Sequence, residues 1–264
     1  IYDEDGNLQG FTKVSRDFSL HKKAEDEMQH AFEKERELNT MKSNFVSMAS
    51  HEFRTPLSII LSSVSLLEHY KTTETQDKRD KHIQRIKSAV TEMVSTLEEF
   101  LSLEKIEEEK VEIKKEYFNL KELVSDVFKK FGTALKPEQV IEYFHDGSED
   151  VYLDKIFTDH IFTNLISNAI KYSPADTNVI VNTQVTKEII RIIIKDQGIG
   201  ISKEDQQHLF ERFFRASNTG NIKGTGLGLH IVKRYVDLME GEIYLKSEAG
   251  EGSEFTIILS AIPG

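Results

Sequence analysis

At 264 residues the chain is long enough for two domains, and with 38% hydrophobic and 30% charged residues its composition is that of a soluble protein. Its 45 acidic residues outweigh 34 basic ones, and the net charge of −11 argues against a general nucleic-acid or anionic-membrane binder. The absence of cysteine excludes disulfides and thiolate zinc sites while permitting a reducing cytosol.

No apolar run approaches the roughly 20 residues needed to span a bilayer. The start, Ile1-Tyr2-Asp3-Glu4-Asp5-Gly6, has no Met and no signal peptide, and it is read as a cut through a larger protein that can carry a membrane anchor upstream. Residues 1–19 carry a hairpin signal at Asp5-Gly6, flanked by Leu8, Phe11, Val14 and Phe18 in strand-like alternation. One hairpin cannot bury a core alone, so this segment is a remnant. The run 5–11 with Arg16-Asp17-Phe18 and Lys22-Lys23-Ala24-Glu25 resembles the end of a PAS sensor domain passing into its output linker.

From about 20 to 70 the pattern is helical. Ala24, Met28, Ala31, Glu35 and Leu38 alternate by four and three, and Met41, Phe45 and Met48 resume after a phase slip, a heptad seam with a stutter. A second helix is predicted over 77–108, with Ile83, Ile86, Val90, Met93, Leu97 and Phe100 in strict three-four alternation. Val94 and Leu101 widen this stripe beyond a two-stranded seam. A polar turn, 71–76, joins the two helices. Such a hairpin exposes too much apolar surface for a monomer, and pairing two copies gives a four-helix bundle that buries it.

Beyond about 111 the character changes. Strands are predicted at 112–118, 140–144, 179–185, 188–195, 242–247 and 254–260. Helices are predicted from an Asn119 cap to about 135, from Asp154 to about 172, over 203–212 and over 227–239. The strand 188–195 holds five isoleucines, a two-sided apolarity that suits a central strand of a covered sheet. The expected domain is an α+β sandwich.

Three segments of this second region are dense in groups that hold a nucleotide. On the helix ending near 172, Asn164, Asn168 and Lys171 fall on one face and Leu165, Ile166 and Ile170 on the other. Asparagine carbonyls suit Mg²⁺ and a lysine neutralises phosphate. At the end of the isoleucine strand stands Asp196-Gln197-Gly198-Ile199-Gly200-Ile201. Its aspartate can accept a hydrogen bond from an adenine amino group, and its glycines let the backbone pass close to base and ribose. Gly220, Gly224, Gly226 and Gly228 then lead into a helix, an anion site made by unpaired amides and the helix dipole. This loop has no Gly-Lys-Ser/Thr and no preceding strand, so it is neither a Walker loop nor a dinucleotide-binding turn.

In this order the three segments resemble the N, G1 and G2 boxes of the GHKL ATP-binding superfamily. Phe210-Glu211-Arg212-Phe213-Phe214-Arg215 is similar to its F box, and Gly250-Glu251-Gly252-Ser253-Glu254-Phe255 to its final strand turn. Far upstream, Ser50-His51-Glu52-Phe53-Arg54-Thr55-Pro56-Leu57 resembles an H box. Over roughly 38–260 the chain thus resembles the catalytic core of a sensor histidine kinase. The resemblance implies a PAS-like remnant at 1–19, a coiled-coil linker at 20–40, a dimerisation and histidine-phosphotransfer domain at 41–109 and a catalytic ATP-binding domain at 110–264. In fold terms this is an all-α helical hairpin forming a dimeric four-helix bundle, followed by a GHKL sandwich.

By motif match, the resemblance makes His51 the nucleophile and Glu52 the carboxylate that bonds its ring proton and raises its nucleophilicity. Arg54 positions groups electrostatically, or is a plain surface arginine. Thr55 completes a Glu-x-x-Thr pattern linked to dephosphorylating the partner protein, or is a helix-face threonine before proline. Pro56 removes a helical hydrogen bond and is expected to bend the helix. ATP and Mg²⁺ are the implied cofactors. Asn164 and Asn168 are expected to meet the metal and phosphates, Lys171 a phosphate, Tyr172 the wall near the nucleotide, and Asp196 the adenine beside Gly198 and Gly200. A lid over 213–226 brings Gly224, Thr225, Gly226, Leu227 and Gly228 to the nucleotide. Either Arg215 or Lys223 steadies the γ-phosphate. Superfamily ATPases carry glutamate where Asn164 stands, and asparagine cannot activate water as that base does. The other histidines, His82 and His230 among them, read as surface or packing residues. The implied partners are a response-regulator receiver domain docking around 58–67, a second copy of the chain and an upstream sensor. The implied location is the cytoplasm.

Overall fold

A computed structural model describes residues 4–7, 19–70, 75–107, 112–132, 134–220, 222 and 224–261. It divides into two units, Ile1–Ala49 and Ser50–Gly264. In the first unit the turn at Asp5-Gly6 is formed, with Gly6 at φ +82°. The strand-like residues around it, from Leu8 to Phe18, lie outside the described residues, as do the side chains of Ala24, Leu38, Met41 and Phe45 in the expected heptad seam. Met28 and Phe32 are exposed on the helix that carries them. That helix, α1 (Ser19–Leu67), continues through Pro56 without interruption. No helix among the described residues is long and apolar enough to cross a membrane.

In the second unit, α1 is followed by α2 (Gln76–Glu107), an antiparallel hairpin whose connection at 71–74 lies outside the described residues. The residues α2 buries are His82, Ala89, Thr96 and Leu103, seven apart, together with Phe100. Phe100 meets Phe53 of α1 edge to face, ring centroids 6.2 Å apart. His82 stacks on Tyr70 at 5.7 Å. The apolar stripe expected to form the bundle core lies mostly one position further round the helix. Ile83, Val90 and Leu97 remain 37%, 46% and 48% exposed, and Val94 and Leu101 are open too. The hairpin therefore has two neighbouring seams, one used within the chain and one left uncovered.

The remainder is a sandwich. Its strands are β1 (Lys115–Asn119), β2 (Val140–Gly147), β3 (Asp150–Asp154), β4 (Asn178–Val185), β5 (Ile189–Lys195), β6 (Glu242–Glu248) and β7 (Gly252–Ser260). Its helices are α3 (Leu120–Phe131), α4 (Lys155–Tyr172), the short α5 (Lys203–Gln206) and α6 (Gly228–Leu238). The main sheet runs β2-β4-β5-β7-β6, parallel only between β2 and β4, while β1 and β3 make a separate antiparallel pair. Side chains alternate across each strand. Val179, Val181, Ile190, Ile192, Ile194, Ile257 and Leu259 point into the core against Ile161, Phe162, Leu165, Ile166, Ile231 and Val236 of α4 and α6. Each such side chain contributes about 1.5–3 kcal/mol by leaving water.

Several elements depart from the sequence expectation. β5 is central, but only one of its faces is buried; Ile189, Arg191 and Ile193 on the other are half-exposed. β3 was not expected, although Val151 and Leu153 alternate into the core just ahead of the Asp154 cap. α3 stops at Phe131 rather than near 135, because Gly132 follows with its high conformational entropy. The helix expected over 203–212 shrinks to the four residues of α5. Leu209 turns into the core and Phe214 into the pocket described below, and so short a helix has little cooperativity to resist that pull.

Candidate nucleotide and phospho-acceptor site

The acceptor segment is built on α1. His51 points outward with its side chain 76% exposed, while Glu52 is only 15% exposed. His51 Nδ1 lies 3.4 Å from Glu52 Oε1, which leaves Nε2 as the outward ring nitrogen. Thr55 Oγ1 donates to the His51 carbonyl at 3.5 Å, a bond back to the preceding turn. Arg54 is exposed and Pro56 is buried.

The second centre is a pocket between α4, the end of β5 and the loop into α6. α4 is set by its caps. Asp154 accepts at Oδ1 from the Phe157 amide (3.0 Å) and at Oδ2 from the Lys114 amide (2.8 Å). At the other end Lys136 Nζ donates to the carbonyls of Lys171 (3.0 Å) and Ser173, and Gln139 Nε2 donates to that of Ile170 at 3.3 Å. With Ile161, Phe162, Leu165, Ile166 and Ala169 buried, Asn164, Asn168, Lys171 and Tyr172 line the pocket. Asn164 spends Nδ2 on the His160 carbonyl at 3.0 Å. Its Oδ1 faces the loop, where a Cβ on Gly228 would come within 2.6 Å of it. The free oxygen is therefore an acceptor, the donor type that suits a hard cation.

Asp196, at the end of β5, is buried, and burial pushes its carboxyl up to about 6 against the lowering effect of the Gly198 and Ser253 backbone groups. Oδ1 accepts from the Gly198 amide at 2.7 Å. Gly200 needs its φ of +60°, and a Cβ there would lie 1.8 Å from the Glu248 carbonyl oxygen.

The segment expected to form a lid begins at Phe213, itself in the left-handed region at φ +63°. Its amide donates to the Gly226 carbonyl at 3.1 Å, so the two ends of the 213–226 segment are tied together. Gly226, at φ +70°, sits against the Phe213 and Phe214 backbone, where a Cβ would come within 2.7 Å. Asp205 Oδ2 accepts from the Ser217 amide and hydroxyl at 3.1 and 2.9 Å. Arg215 lines the pocket, donates through Nη2 to the Ile222 carbonyl, and leaves its buried Nε without a partner. Lys223, the other candidate for the same role, lies outside the described residues. α6 opens at Leu227 with no side-chain cap, so the pocket-lining loop residues Gly224, Thr225, Gly226 and Gly228 lead straight to its N-terminal amides.

Two cationic side chains, Lys171 and Arg215, meet at the pocket. Burial lowers the Lys171 ammonium, and the nearby Arg215 guanidinium lowers it further. Glu99, Glu52 and Glu92 oppose that shift. The Lys171 ammonium lies 5.1 Å from the centre of the Tyr172 ring, whose hydroxyl burial pushes up. Glu52, beside His51, is near enough for its charge to act on Lys171 and on Glu99.

Sequence reasoning missed three participants. Lys136 and Gln139, which hold the end of α4, come from a loop with no motif of its own. Glu99 of α2 lines the same pocket and accepts from Thr225 Oγ1 at 2.5 Å, across 126 residues of chain.

The His Kinase A (phospho-acceptor) domain family matches residues 41–109, and the family of histidine kinase-, DNA gyrase B- and HSP90-like ATPases matches 153–262. The sensor histidine kinase GacS of Pseudomonas protegens is 35% identical over 85% of this chain, which spans 25% of that protein. The autoinducer 2 sensor kinase/phosphatase LuxQ of Vibrio parahaemolyticus is 27% identical over 97% of this chain, which spans 30% of it. Among solved structures, the histidine kinase AdeS of Acinetobacter baumannii superposes with a TM-score of 0.60 at 27% identity, covering 81% of this chain and 98% of that one.

Proposed function

The chain belongs to the histidine kinases, with a phospho-acceptor domain followed by a histidine-kinase-type ATPase domain, and from that premise we propose that it binds Mg·ATP in the α4–α6 pocket and phosphorylates His51. The phosphoryl group then passes to an aspartate of a response-regulator receiver domain. The observation that carries the reading is the meeting in one pocket of Asn164, Asn168, Lys171, Asp196, Arg215 and the glycine-rich loop, with Glu52 near enough to act on Lys171.

Asp196 reads the adenine amino group, with Gly198 and Gly200 giving the base room. Lys171, Arg215 and the α6 amides receive the phosphates. Asn164 and Asn168 would hold Mg²⁺, and the Asn164 oxygen turned to the pocket fits that role. When bound, the ion offsets phosphate charge. Nε2 of His51 attacks the γ-phosphorus. A nitrogen–phosphorus bond forms, the bond to the bridging oxygen breaks, and ADP leaves with the electron pair. Glu52 accepts a hydrogen bond from the Nδ1 proton and steadies the charge that grows on the ring. Arg54, exposed beside them, adds positive potential. The carboxamide of Asn164 has no basic atom to activate water, so the γ-phosphoryl is kept for His51.

The open seam of Ile83, Val90 and Leu97 supports pairing with a second copy of the chain, and the α1 surface below His51 supports receiver docking. The cysteine-free composition suits a reducing cytosol, and we assign this core to the cytoplasm, downstream of a sensor domain. A phosphatase activity toward the receiver is the second reading. It is favoured by Thr55 one turn from His51 and by the kinase/phosphatase name of the LuxQ relative.

The test is incubation with γ-labelled ATP and Mg²⁺. Label that is acid-labile and base-stable should appear on His51 and vanish in His51→Ala while ATP binding persists. Label at the parent level in that variant, or full-rate ATP turnover by it, refutes the kinase reading. Phosphorylated receiver should decay more slowly with Thr55→Ala than with the parent, and equal decay removes the phosphatase reading.

A further inference from the structure

Glu99 belongs to α2, within the phospho-acceptor domain, yet it lines the pocket of the sandwich. Its Oε2 accepts from Thr225 Oγ1 at 2.5 Å, and the same Oγ1 accepts from the Leu227 amide at 3.2 Å. Leu227 is the residue from which α6 starts. A hydrogen-bond relay from the helix N-terminus therefore ends on a carboxylate. Burial pushes the Glu99 carboxyl up, and its bond to Thr225 and the charge of Lys171 pull the other way. The Lys171 ammonium runs so close to the loop that a Cβ on Gly224 would lie 2.7 Å from it. Ammonium, helix amides and loop hydroxyl are the donors a phosphate oxygen uses, and here the hydroxyl is taken by a carboxylate oxygen while Lys171 and the Leu227 amide at the start of α6 lie beside it. Around it, α2 is seated firmly: Ser102 bonds the Tyr235 hydroxyl on α6, and Leu103 is buried.

We propose that Glu99 is an autoinhibitory plug, a carboxylate from the phospho-acceptor hairpin that occupies the phosphate end of the nucleotide site and must withdraw for a triphosphate to enter. The proposal rests on the ATP reading of this pocket. Like charges do not share such a site, so phosphate and Glu99 exclude one another. ATP then favours the arrangement with α2 displaced, and by linkage any signal that shifts α2 changes the affinity for ATP. The hairpin thus gains a handle on the nucleotide that does not pass through His51.

The experiment is calorimetric titration of the full chain with Mg·ATP and, separately, with adenosine. Glu99→Gln keeps the size and the bond to Thr225 but removes the charge, and Glu99→Ala removes both. Both variants should bind ATP about tenfold more tightly than the parent, the worth of one charged hydrogen bond, with adenosine binding unchanged. Unchanged or weaker ATP binding in both overturns the plug, as does an equal gain for adenosine, which would mean a loosened lid. If parent and variants bind neither ligand, the ATP reading falls and the plug with it. In the parent, ATP should also speed hydrogen exchange at amides 96–103, and unaltered protection there contradicts displacement of α2.

Discussion

The helical hairpin and the sandwich share one chain and treat their apolar residues in opposite ways. In the sandwich, Ile161, Phe162, Ile192 and Ile257 are at most 1% exposed, because helices and sheet close over one another. In the hairpin, Leu57, Leu61, Val90, Val94 and Leu97 are each between 46% and 70% exposed, and the seam α2 uses internally holds a histidine, an alanine and a threonine beside Phe100 and Leu103. A helix pair has two sides and only one partner within the chain. Its better apolar row is left for an outside partner, whereas a layered domain completes its own core. The difference suits the two regions to their proposed tasks: the sandwich builds the pocket, to which the hairpin adds only Glu99, and the hairpin keeps a face for a second copy.

The largest expected effect separates the two regions outright. Val90→Glu combined with Leu97→Glu should convert the proposed dimer to monomer in sedimentation analysis, with ATP binding by the sandwich preserved. Persistence of the dimer would show that the open row is not the interface. Ile161→Ala should do the converse, costing about 2–5 kcal/mol of sandwich stability in denaturant titration through lost burial and a cavity, with self-association intact. A cost near zero would mean that the core is looser than its burial implies.

A smaller effect probes the pocket alone. Asp196→Asn should weaken ATP binding by about ten- to a hundredfold, the range for a hydrogen bond to a charged group. The parent's affinity should rise with pH through about 6, as the carboxyl ionises and becomes the stronger acceptor, and the variant should lack that rise. The sign for stability is the reverse. The folded carboxyl titrates about 6 and the free one at 3.8, so the nucleotide-free fold binds the extra proton and loses stability as pH climbs between those values. Asp196→Asn should flatten that loss in thermal melts across the same range.

Much of this was legible beforehand where local chemistry speaks for itself. Asn119 and Asp154 cap α3 and α4 as their side chains suggest, each accepting an amide three residues on. The face carrying Asn164, Asn168 and Lys171 follows from helical spacing. The row Ile83, Val90, Leu97 stays open, as expected of a hairpin with more apolar surface than one chain can bury, while the chain buries its neighbours His82, Ala89 and Thr96 together with Phe100 of the expected stripe. Spacing identifies a face without naming what covers it. Helix propensity over 203–212 yielded to Leu209 and Phe214, whose tertiary contacts outweigh a few local hydrogen bonds.

By itself, then, the sequence determined most element types and the caps, the chemistry of each segment proposed to hold the nucleotide, and the histidine with its adjacent carboxylate, because these depend on neighbours within a few residues. Tertiary structure alone decided which seam of α2 is used, where Lys136 and Gln139 anchor α4, and that Glu99 reaches Thr225. The contacts of Lys136, Gln139 and Glu99 join groups between 31 and 126 residues apart, where no local pattern constrains the pairing and only the packing of the whole domain selects it.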